Sequence, residues 1–318
     1  MKWVKKGVIF APDNNFPWMR SHASLPVVDP LNEEVLRIYF GTRDGQGLSH
    51  LGYVDVEAGN PAKIIAVSEE PVLPLGQLGT FDDRGIMPSW IVRQGEQRFL
   101  YYIGWNPEVS VSSRLSIGLA ISHDGGQSFT KHSEGPVCDR SIEEPFFNTA
   151  PCVLAEGTTW RMWYVSCTGW EIVNDKTEPR YHIKYAESVD GIHWCKTGHV
   201  CLDYDQRTEA IGRPCVYQVN QGFRMFYSYR SLRDYRTDPS QSYRLGYAES
   251  DDGLAWTRKD AEVGIERSMT GWDSEMIEYC SLYEYQGRTF MLYNGNGFGR
   301  SGFGYAELER EYGRQKNS

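Results

Sequence analysis

The chain has 318 residues, of which 40% are hydrophobic and 14% aromatic, and its formal net charge at pH 7 is -9. This acidic balance argues against nucleic acid as a partner, because phosphate backbones bind basic surfaces. No apolar run approaches the ~18 residues that a membrane-spanning helix needs, and the N-terminus lacks the apolar core of an export signal. We therefore expect a cytoplasmic protein without membrane contact.

The predicted elements start with a short extended segment, Trp3 to Phe10, and then follow a repeat. Each repeat contains an apolar first strand, a middle strand that starts at an arginine, a third strand and a short outer strand. The middle strands start at five arginines spaced 61, 63, 63 and 64 residues apart, namely Arg37, Arg98, Arg161, Arg224 and Arg288. Four short strands in each of several units of about 60 residues are typical of a β-propeller.

We therefore predict an all-β fold, a single five-bladed β-propeller domain over residues 1–318 with four-stranded antiparallel blades. The blades are expected at approximately 11–70, 71–135, 136–200, 201–262 and 263–308. The last of these lacks a predicted outer strand, whereas the segment 3–10 precedes the first blade and has no place in it. We expect this N-terminal strand to complete the last blade and so close the ring.

Several third strands end in a Ser-x-Asp-Gly turn, as at Ser188 to Gly191 and Ser250 to Gly253. Aspartate can accept backbone amides within such a turn, and glycine can take the positive φ that a hairpin requires. The related segment Ser122 to Phe129 fits the Asp-box of sialidase propellers, which is a signature of the fold. We expect the aspartates of these turns to be structural.

Polar residues at the start of each first strand are candidates for chemistry, because the first strands of a propeller line its central channel. Four of the five repeats carry a carboxylate there, and convergent carboxylates can supply the acid and base that glycosyl transfer requires. The predicted catalytic residues are Asp83, Glu144 and Glu209. The predicted substrate-binding residues are His22, Arg43, Asp44, Arg84, Asn148, Arg213, Tyr229, Arg230, Asp273 and Glu275. The structural alternative is that such acids accept hydrogen bonds from amides of the channel wall.

The histidines show no zinc-binding spacing, and the seven cysteines form no Cys-x-x-Cys pair, so we predict reduced thiols, no metal and no other cofactor. Two insertions after middle strands, Cys167 to Tyr181 and Ser231 to Tyr243, are polar and carry aromatic residues. Because loops at this position open toward the starts of the first strands, we expect both insertions to wall the pocket.

The repeat, its Ser-x-Asp-Gly-x-x-Trp turns and its acids resemble the five-bladed propellers of glycoside hydrolase families 43, 32 and 68 and the related family 130 phosphorylases. The resemblance spans about Val8 to Leu308. It implies an enzyme that cleaves or transfers a glycosidic bond in an axial pocket, with Glu144 at the position of the acid and Asp83 at that of a second carboxylate. The first repeat departs from the pattern, since no carboxylate lies at the expected place, although Asp44 is a candidate to replace it.

Two alternatives remain open. Arg43, Arg84, Arg213 and Arg230 are candidates for an anion pocket, and the segment Asp82-Asp83-Arg84 looks like the Glu-Asp-x-Arg segment of family 130. These features favour an inverting phosphorylase or a glycosyltransferase acting on a sugar phosphate. The missing acid of the first repeat favours a non-catalytic sugar-binding propeller instead. In each case the expected partner is a small saccharide or glycan precursor, and a homo-oligomer is left open.

Overall fold

The computed structural model describes residues 1–14, 16–205 and 209–309, which form an all-β structure. Its strands are β1 (Trp3–Phe10), β2 (Ser21–Pro30), β3 (Val35–Arg43), β4 (Ser49–Glu57), β5 (Asn60–Val67), β6 (Gly85–Gln94), β7 (Gln97–Asn106), β8 (Arg114–Ser122), β9 (Thr130–Lys131), β10 (Asn148–Glu156), β11 (Thr159–Val173), β12 (Lys176–Ser188), β13 (Cys195–Leu202), β14 (Glu209–Gln218), β15 (Phe223–Ser231), β16 (Arg244–Ser250), β17 (Thr257–Arg258), β18 (Glu278–Tyr285), β19 (Arg288–Asn294) and β20 (Phe303–Leu308). A short 3-10 turn (Asp260–Glu262) and a short helical segment, α1 (Asn296–Gly299), complete the elements within these ranges.

Consecutive strands pair antiparallel in groups of four, as predicted. Two separate four-stranded sheets run in the orders β10-β11-β12-β13 and β14-β15-β16-β17. The strands β2 to β5 and β6 to β9 form two similar groups, which a single parallel pair, Ser49 with Gly85, joins into one sheet. The remaining sheet has the order β1-β20-β19-β18, with Trp3 opposite Leu308 and Phe10 opposite Phe303.

The core lies between neighbouring sheets, because the middle strands are apolar on both faces. One core cluster, for example, packs Val27 and Tyr39 of β2 and β3 against Leu100 and Tyr102 of β7. The first strands β2, β6, β10, β14 and β18 contact one another in this order, and β18 also contacts β2. The first strands therefore surround a common interior, whereas the outer strands face away from it.

Middle strands are tied to the following sheet through its Ser-x-Asp-Gly turn. The donors Tyr39, Tyr101 and Trp163 reach the carbonyl oxygens of Gly126, Gly191 and Gly253, at 2.7, 2.6 and 2.8 Å. The turn aspartates accept backbone amides, as Asp190 does from Ile192 and His193. The turns thus link neighbouring sheets, and their aspartates have the structural role expected from the sequence.

All seven cysteines are free thiols, and all but Cys195 are buried. Within the described ranges, no helix combines the length and the apolar character needed to cross a membrane.

Candidate functional site

The first strands are interrupted by β-bulges where they approach one another. In β2, pairing with the middle strand is irregular at two places, and His22 has a φ of 64° at the first of them. At the second irregularity of β2, and at those of β10, β14 and β18, one non-glycine residue has a positive φ. These residues are Leu25, Ala150, Arg213 and Tyr279, with φ of 53°, 46°, 54° and 56°. A bulge re-aims the side chains beside it, and unfavourable backbone angles of this kind concentrate at functional sites.

The four bulge residues line one cavity of about 340 Å³, together with Met87 from the bulged strand β6. The insertion 167–181 contributes Pro179 and Tyr181, and the insertion 231–243 contributes Tyr235, Arg236 and Tyr243. Both insertions therefore wall the cavity, as predicted, although the first one proves to be an extension of the β11–β12 hairpin. The second insertion leaves β15 and returns to β16.

The charges on the cavity wall are all positive among the described lining residues. Four arginines contribute to the lining, and no carboxylate does; the arginines are Arg43, Arg213, Arg230 and Arg236. A concentration of guanidinium groups inside a protein of net charge -9 favours an anionic ligand, because guanidinium groups pair with carboxylate and phosphate oxygens. We call this space the arginine cavity.

Arg230 is a fixed cation of the arginine cavity. Its side chain is 1% exposed and donates Nε to the hydroxyls of Tyr181 and Tyr243, at 3.2 and 3.1 Å. Its Nη atoms donate to the carbonyl oxygens of Ser231 and Pro179. The guanidinium also stacks 3.8 Å from the ring centroid of Tyr235. Neutral partners therefore hold Arg230 in place while leaving its charge uncancelled.

Arg213 is also 1% exposed, but it has almost no partners. One Nη2 contact reaches the Pro26 carbonyl oxygen at 3.4 Å, and Nε and Nη1 have no hydrogen-bond partner among the described residues. Burial lowers the pKa of Arg213. A buried guanidinium without a counter-charge costs several kcal/mol, and an anion in the cavity would offset that cost.

The rim of the cavity is positive as well. Arg236 pairs with Glu178 at 2.9 Å, and burial together with the charge of Arg236 lowers the pKa of Arg43. His22 lies close to the same groups: burial, followed by the charges of Arg43 and Arg300, lowers its pKa to about 4. His22 is therefore neutral at pH 7, where it can accept or donate a hydrogen bond.

Glu144, the predicted acid, lies outside the cavity lining and is 3% exposed. Its carboxylate accepts hydrogen bonds from Asn148, Tyr164 and Ser166, at 2.6, 2.9 and 3.0 Å. Burial alone would raise the pKa of Glu144, but Lys196, the Tyr164 hydroxyl and a second lysine together hold it below its ordinary value. A general acid at pH 7 needs the opposite shift, so this geometry suits a structural anion.

The same arrangement recurs at the start of other first strands. A carboxylate there accepts a bond from a middle-strand tyrosine and pairs with a lysine of the outer strand. The three sets are Asp82 with Tyr102 and Lys131, Glu144 with Tyr164 and Lys196, and Asp273 with Tyr293 and Lys5. We call these the strand-start triads. In the sheet of β14 to β17, Tyr227 bonds Asp260 instead, and Arg258 pairs with both Asp260 and Glu209.

The first sheet explains why the carboxylate is missing there. Its register places Phe40 where the other middle strands have the tyrosine of the triad. A phenylalanine has no hydroxyl, so this position does not need a carboxylate as acceptor. The phased acids of the sequence therefore follow the phase of the tyrosines. This gives Asp82, Glu144 and Asp273 a structural role, whereas Asp83, Glu209 and Glu275 lie outside the triads.

The predicted site residues divide into two groups. Arg43, Arg213 and Arg230 are brought together in the arginine cavity, with His22 beside Arg43. The others do not line it, and the described contacts of several are local. Asp83 accepts the amide of Gly79, and Asp44 accepts those of Gln46 and Leu48 and contacts His50. Glu209 pairs with Arg258, Asp273 belongs to a strand-start triad, and Asn148 donates to the triad residue Glu144. Tyr229 lines a separate cavity, and Arg84 and Glu275 are exposed.

The cavity residues Tyr181, Tyr235, Arg236 and Tyr243 were expected only as parts of the two insertions, and they were not named as individual site residues. One sequence signal marks the bulges: prolines recur in the first strands at intervals of 62, 63 and 63 residues by subtraction, at Pro26, Pro88, Pro151 and Pro214. Proline inside a strand is confined to edges and bulges, so this phase could have located the bulge residues. Among the described residues, no group of three or more His, Cys, Asp or Glu side chains is placed to hold a metal ion.

Two proteins of Mycobacterium tuberculosis match nearly the whole chain. "Uncharacterized protein MT1551" of strain CDC 1551 / Oshkosh is 42% identical over 310 residues, which cover 97% of this chain and 100% of that protein. "Uncharacterized protein Rv1502" of strain ATCC 25618 / H37Rv is 41% identical over the same length and coverage. The chain belongs to their family. No model of a described protein family matches the chain.

Solved structures with the same fold are glycoside hydrolases and their relatives. The BT0996 RGII complex has a TM-score of 0.75 at 15% identity, and the match covers 97% of this chain and 92% of that protein. A thermostable family-43 glycoside hydrolase has a TM-score of 0.67 at 14% identity, covering 96% and 94%. A member of the GH130 family of mannoside phosphorylases, which contains glycoside hydrolases, has a TM-score of 0.69 at 15% identity, covering 96% and 93%. The expected resemblance to the propeller glycoside hydrolases is confirmed, and at these identities it is a likeness of fold.

Proposed function

We propose that this protein is a carbohydrate-active propeller that binds a saccharide bearing an anionic group in the arginine cavity. The observation that carries the proposal is the buried Arg213, whose Nε and Nη1 have no described partner in a cavity lined by three further arginines. The tyrosines beside these arginines suit a sugar, since they combine an apolar ring with a hydroxyl. The fold shared with glycoside hydrolases supports a saccharide as the neutral part of the ligand.

The proposal assigns five blades to the fold, with β1 as the outer strand of the last blade and the closure of the ring. The contact of β18 with β2 and the pairing of β1 with β20 support this assignment. So does the position of Lys5, which takes the place in its triad that Lys131 and Lys196 take in theirs. The single domain over residues 1–318 and the cytoplasmic location remain predictions from the sequence.

A phosphate group is the anion that fits the proposal best, because a dianion can pair with several guanidinium forks at once. In phosphorolysis an oxygen of hydrogen phosphate attacks the anomeric carbon and the glycosidic C–O bond breaks. The proton of hydrogen phosphate passes to the leaving oxygen, so the products are a sugar 1-phosphate and the free alcohol. A phosphorylase or a transferase acting on a sugar phosphate is therefore the proposed enzyme class. The hydrolytic roles of Asp83, Glu144 and Glu209 remain predictions.

A second candidate is a sugar-binding propeller without catalytic activity. It is favoured by the lack of a carboxylate among the described residues of the cavity wall, since a proton donor of that type is what glycosidic cleavage ordinarily uses. The two candidates share the arginine cavity and the anionic ligand. They differ only in whether the bound saccharide is turned over.

The test measures binding by calorimetry, with inorganic phosphate and a panel of hexose 1-phosphates and hexuronates as ligands. Wild type should bind at least one phosphorylated ligand, and Arg213→Met should weaken that binding tenfold or more. A tenfold change in affinity corresponds to about 1.4 kcal/mol of binding free energy. This is close to the lower end of the range of about 1.5–3 kcal/mol for a hydrogen bond to a charged group. Arg84→Met is the matched control, because Arg84 is exposed and does not line the cavity.

Turnover is measured separately, as release of sugar 1-phosphate from a glycoside panel in the presence of phosphate. Release would establish the phosphorylase, whereas binding without release would support the sugar-binding candidate. Unchanged affinity in Arg213→Met, or preference of wild type for neutral sugars over every anionic ligand, would contradict the proposed function.

A further inference from the structure

A second cavity adjoins the arginine cavity. It has a volume of about 280 Å³, and its wall includes Phe146, Phe147, Trp170 and Arg140. Ser113 and Phe147 belong to the linings of both cavities. The two cavities therefore border each other at these two residues.

The shared wall is held rigidly. Phe147 is buried and meets the ring of Trp170 edge to face, with centroids 5.7 Å apart. Its carbonyl oxygen accepts the amide of Cys167 at 3.0 Å. On the other side, the amide of Ser112 donates to Thr177 Oγ1 at 2.9 Å and ties the loop after β7 to the β11–β12 hairpin. The two cavities thus have a fixed spatial relation, which a ligand that spans both would require.

The two cavities differ in chemistry. The first carries four arginines and no carboxylate among its described lining residues. The second combines the partly exposed rings of Phe146 and Trp170 with serine hydroxyls, and its charged groups are Glu108, Arg140 and Arg114, of which Arg114 already pairs with Asp139. A pyranose ring has an apolar C–H face and a rim of hydroxyls, so it matches an aromatic face bordered by polar groups. A second phosphate would find less charge here than in the first cavity. A neutral sugar ring fits the second cavity best.

We propose that the second cavity is a subsite for a second sugar ring, and that the ligand is an anionic saccharide of at least two units. The charged unit occupies the arginine cavity, and the neutral unit lies against Trp170. This inference rests on the proposed function, because it presupposes an anionic saccharide in the first cavity.

The test compares the affinities of hexose 1-phosphates with those of disaccharide 1-phosphates whose phosphate-bearing unit is the same hexose. Both affinities are measured by calorimetry. We expect wild type to bind at least one disaccharide 1-phosphate tenfold more tightly than its hexose 1-phosphate. Trp170→Ala should remove this advantage and leave the affinity for the hexose 1-phosphate within about twofold. Trp170→Phe retains a ring and should retain most of the advantage, which also serves if the alanine variant folds poorly. Trp194→Ala is the control, since Trp194 lies on a separate surface groove.

The outcomes separate this inference from the proposed function. If hexose 1-phosphates bind and depend on Arg213 but no disaccharide 1-phosphate binds more tightly, the second subsite is refuted and the arginine cavity stands. Equal weakening of both ligands by Trp170→Ala would also refute it, because Trp170 would then only support the first cavity. A nucleoside diphosphate sugar that alone gains from Trp170 would assign the second cavity to a nucleobase. Failure of every anionic ligand of the panel, phosphorylated or hexuronate, would overturn both proposals.

Discussion

The strand-start triads and the arginine cavity contrast in whether buried charge is matched. At the start of β10, Glu144 is surrounded by hydroxyls, an amide and two lysines. In the cavity a few residues further along the first strands, Arg213 has no ion pair among the described residues. A matched charge in a buried network serves the fold, whereas an unmatched one costs free energy that a ligand can recover. The presence or absence of a paired counter-charge therefore separates the strand-start triads from the arginine cavity better than position along the first strand does.

The contrast also assigns different consequences to mutation. Removing a member of a triad leaves its partners buried without a counter-charge, so the free energy of unfolding should fall. Removing Arg213 leaves no such partner behind, so ligand affinity should fall while stability is kept.

The largest effect is expected for Glu144→Ala, which should lower the free energy of unfolding by roughly 3–5 kcal/mol, the range for breaking a buried ion pair. The reason is that Lys184 and Lys196 would be left facing buried hydroxyls without their carboxylate. Urea unfolding measures the change, with the neighbouring Glu143→Ala as control because Glu143 is exposed. Phosphate affinity of the folded variant should stay within about twofold of wild type.

The pH dependence of the same variant has a definite sign. The pKa of Glu144 is lowered in the folded protein, so its stabilisation is present above the unfolded value of about 4.3 and is lost as the pH falls through the lower folded value. Glu144→Gln should therefore lose less stability than wild type on acidification. Loss of ligand binding or turnover at full stability would instead restore Glu144 to the catalytic role predicted from the sequence.

A smaller effect is expected for Phe40→Tyr, which tests the link between tyrosine and acid. Phe40 is fully buried beside Phe10 and Phe303, and its sheet has no strand-start carboxylate. The added hydroxyl would be buried without an acceptor, which costs about 1–3 kcal/mol. Thermal unfolding measures it, with the reverse change Tyr102→Phe for comparison. A variant as stable as wild type would show that a tyrosine here does not require an acid.

The fold was predictable from the sequence because every sheet repeats the same packing problem. Strands that bury the same faces need apolar residues, turns and charges at the same phase, and the arginines from Arg37 to Arg288 mark that phase. Four-stranded antiparallel sheets follow from it. The strand-start acids share the phase for the same structural reason, and this is why periodicity led to Glu144 and Asp273 as candidates for chemistry.

The site was less predictable because a ligand does not share the repeat of its binding protein. The bulge residues that line the cavity differ from sheet to sheet, as Leu25, Ala150, Arg213 and Tyr279 do. The remaining wall comes from insertions that occur once, among them the loop that carries Tyr235. Arg43, Arg213 and Arg230 were found by their charge type. The tyrosines carried no such mark, since a propeller uses many tyrosines in its core.

The smallest expected effect is a change in the pKa of His22, which reports the positive charge at the rim of the arginine cavity. Burial and the charges of Arg43 and Arg300 lower the pKa of His22 to about 4. Between this value and the unfolded pKa of about 6.5, the unfolded state binds the proton and the folded state does not, so stability rises with pH over that interval. A phosphate bound near Arg43 would offset the positive charge and should raise the pKa of His22, because a nearby anion favours the protonated imidazole. NMR titration with and without saturating phosphate measures this, with His22→Gln to assign the resonance and the exposed His199 as an internal reference.

Arg43→Met should raise the pKa of His22 even without phosphate, because the same repulsion is removed. A His22 pKa that responds to Arg43→Met but not to phosphate would place the anion at Arg213, away from the rim, and would confine the unmatched charge to the interior of the cavity.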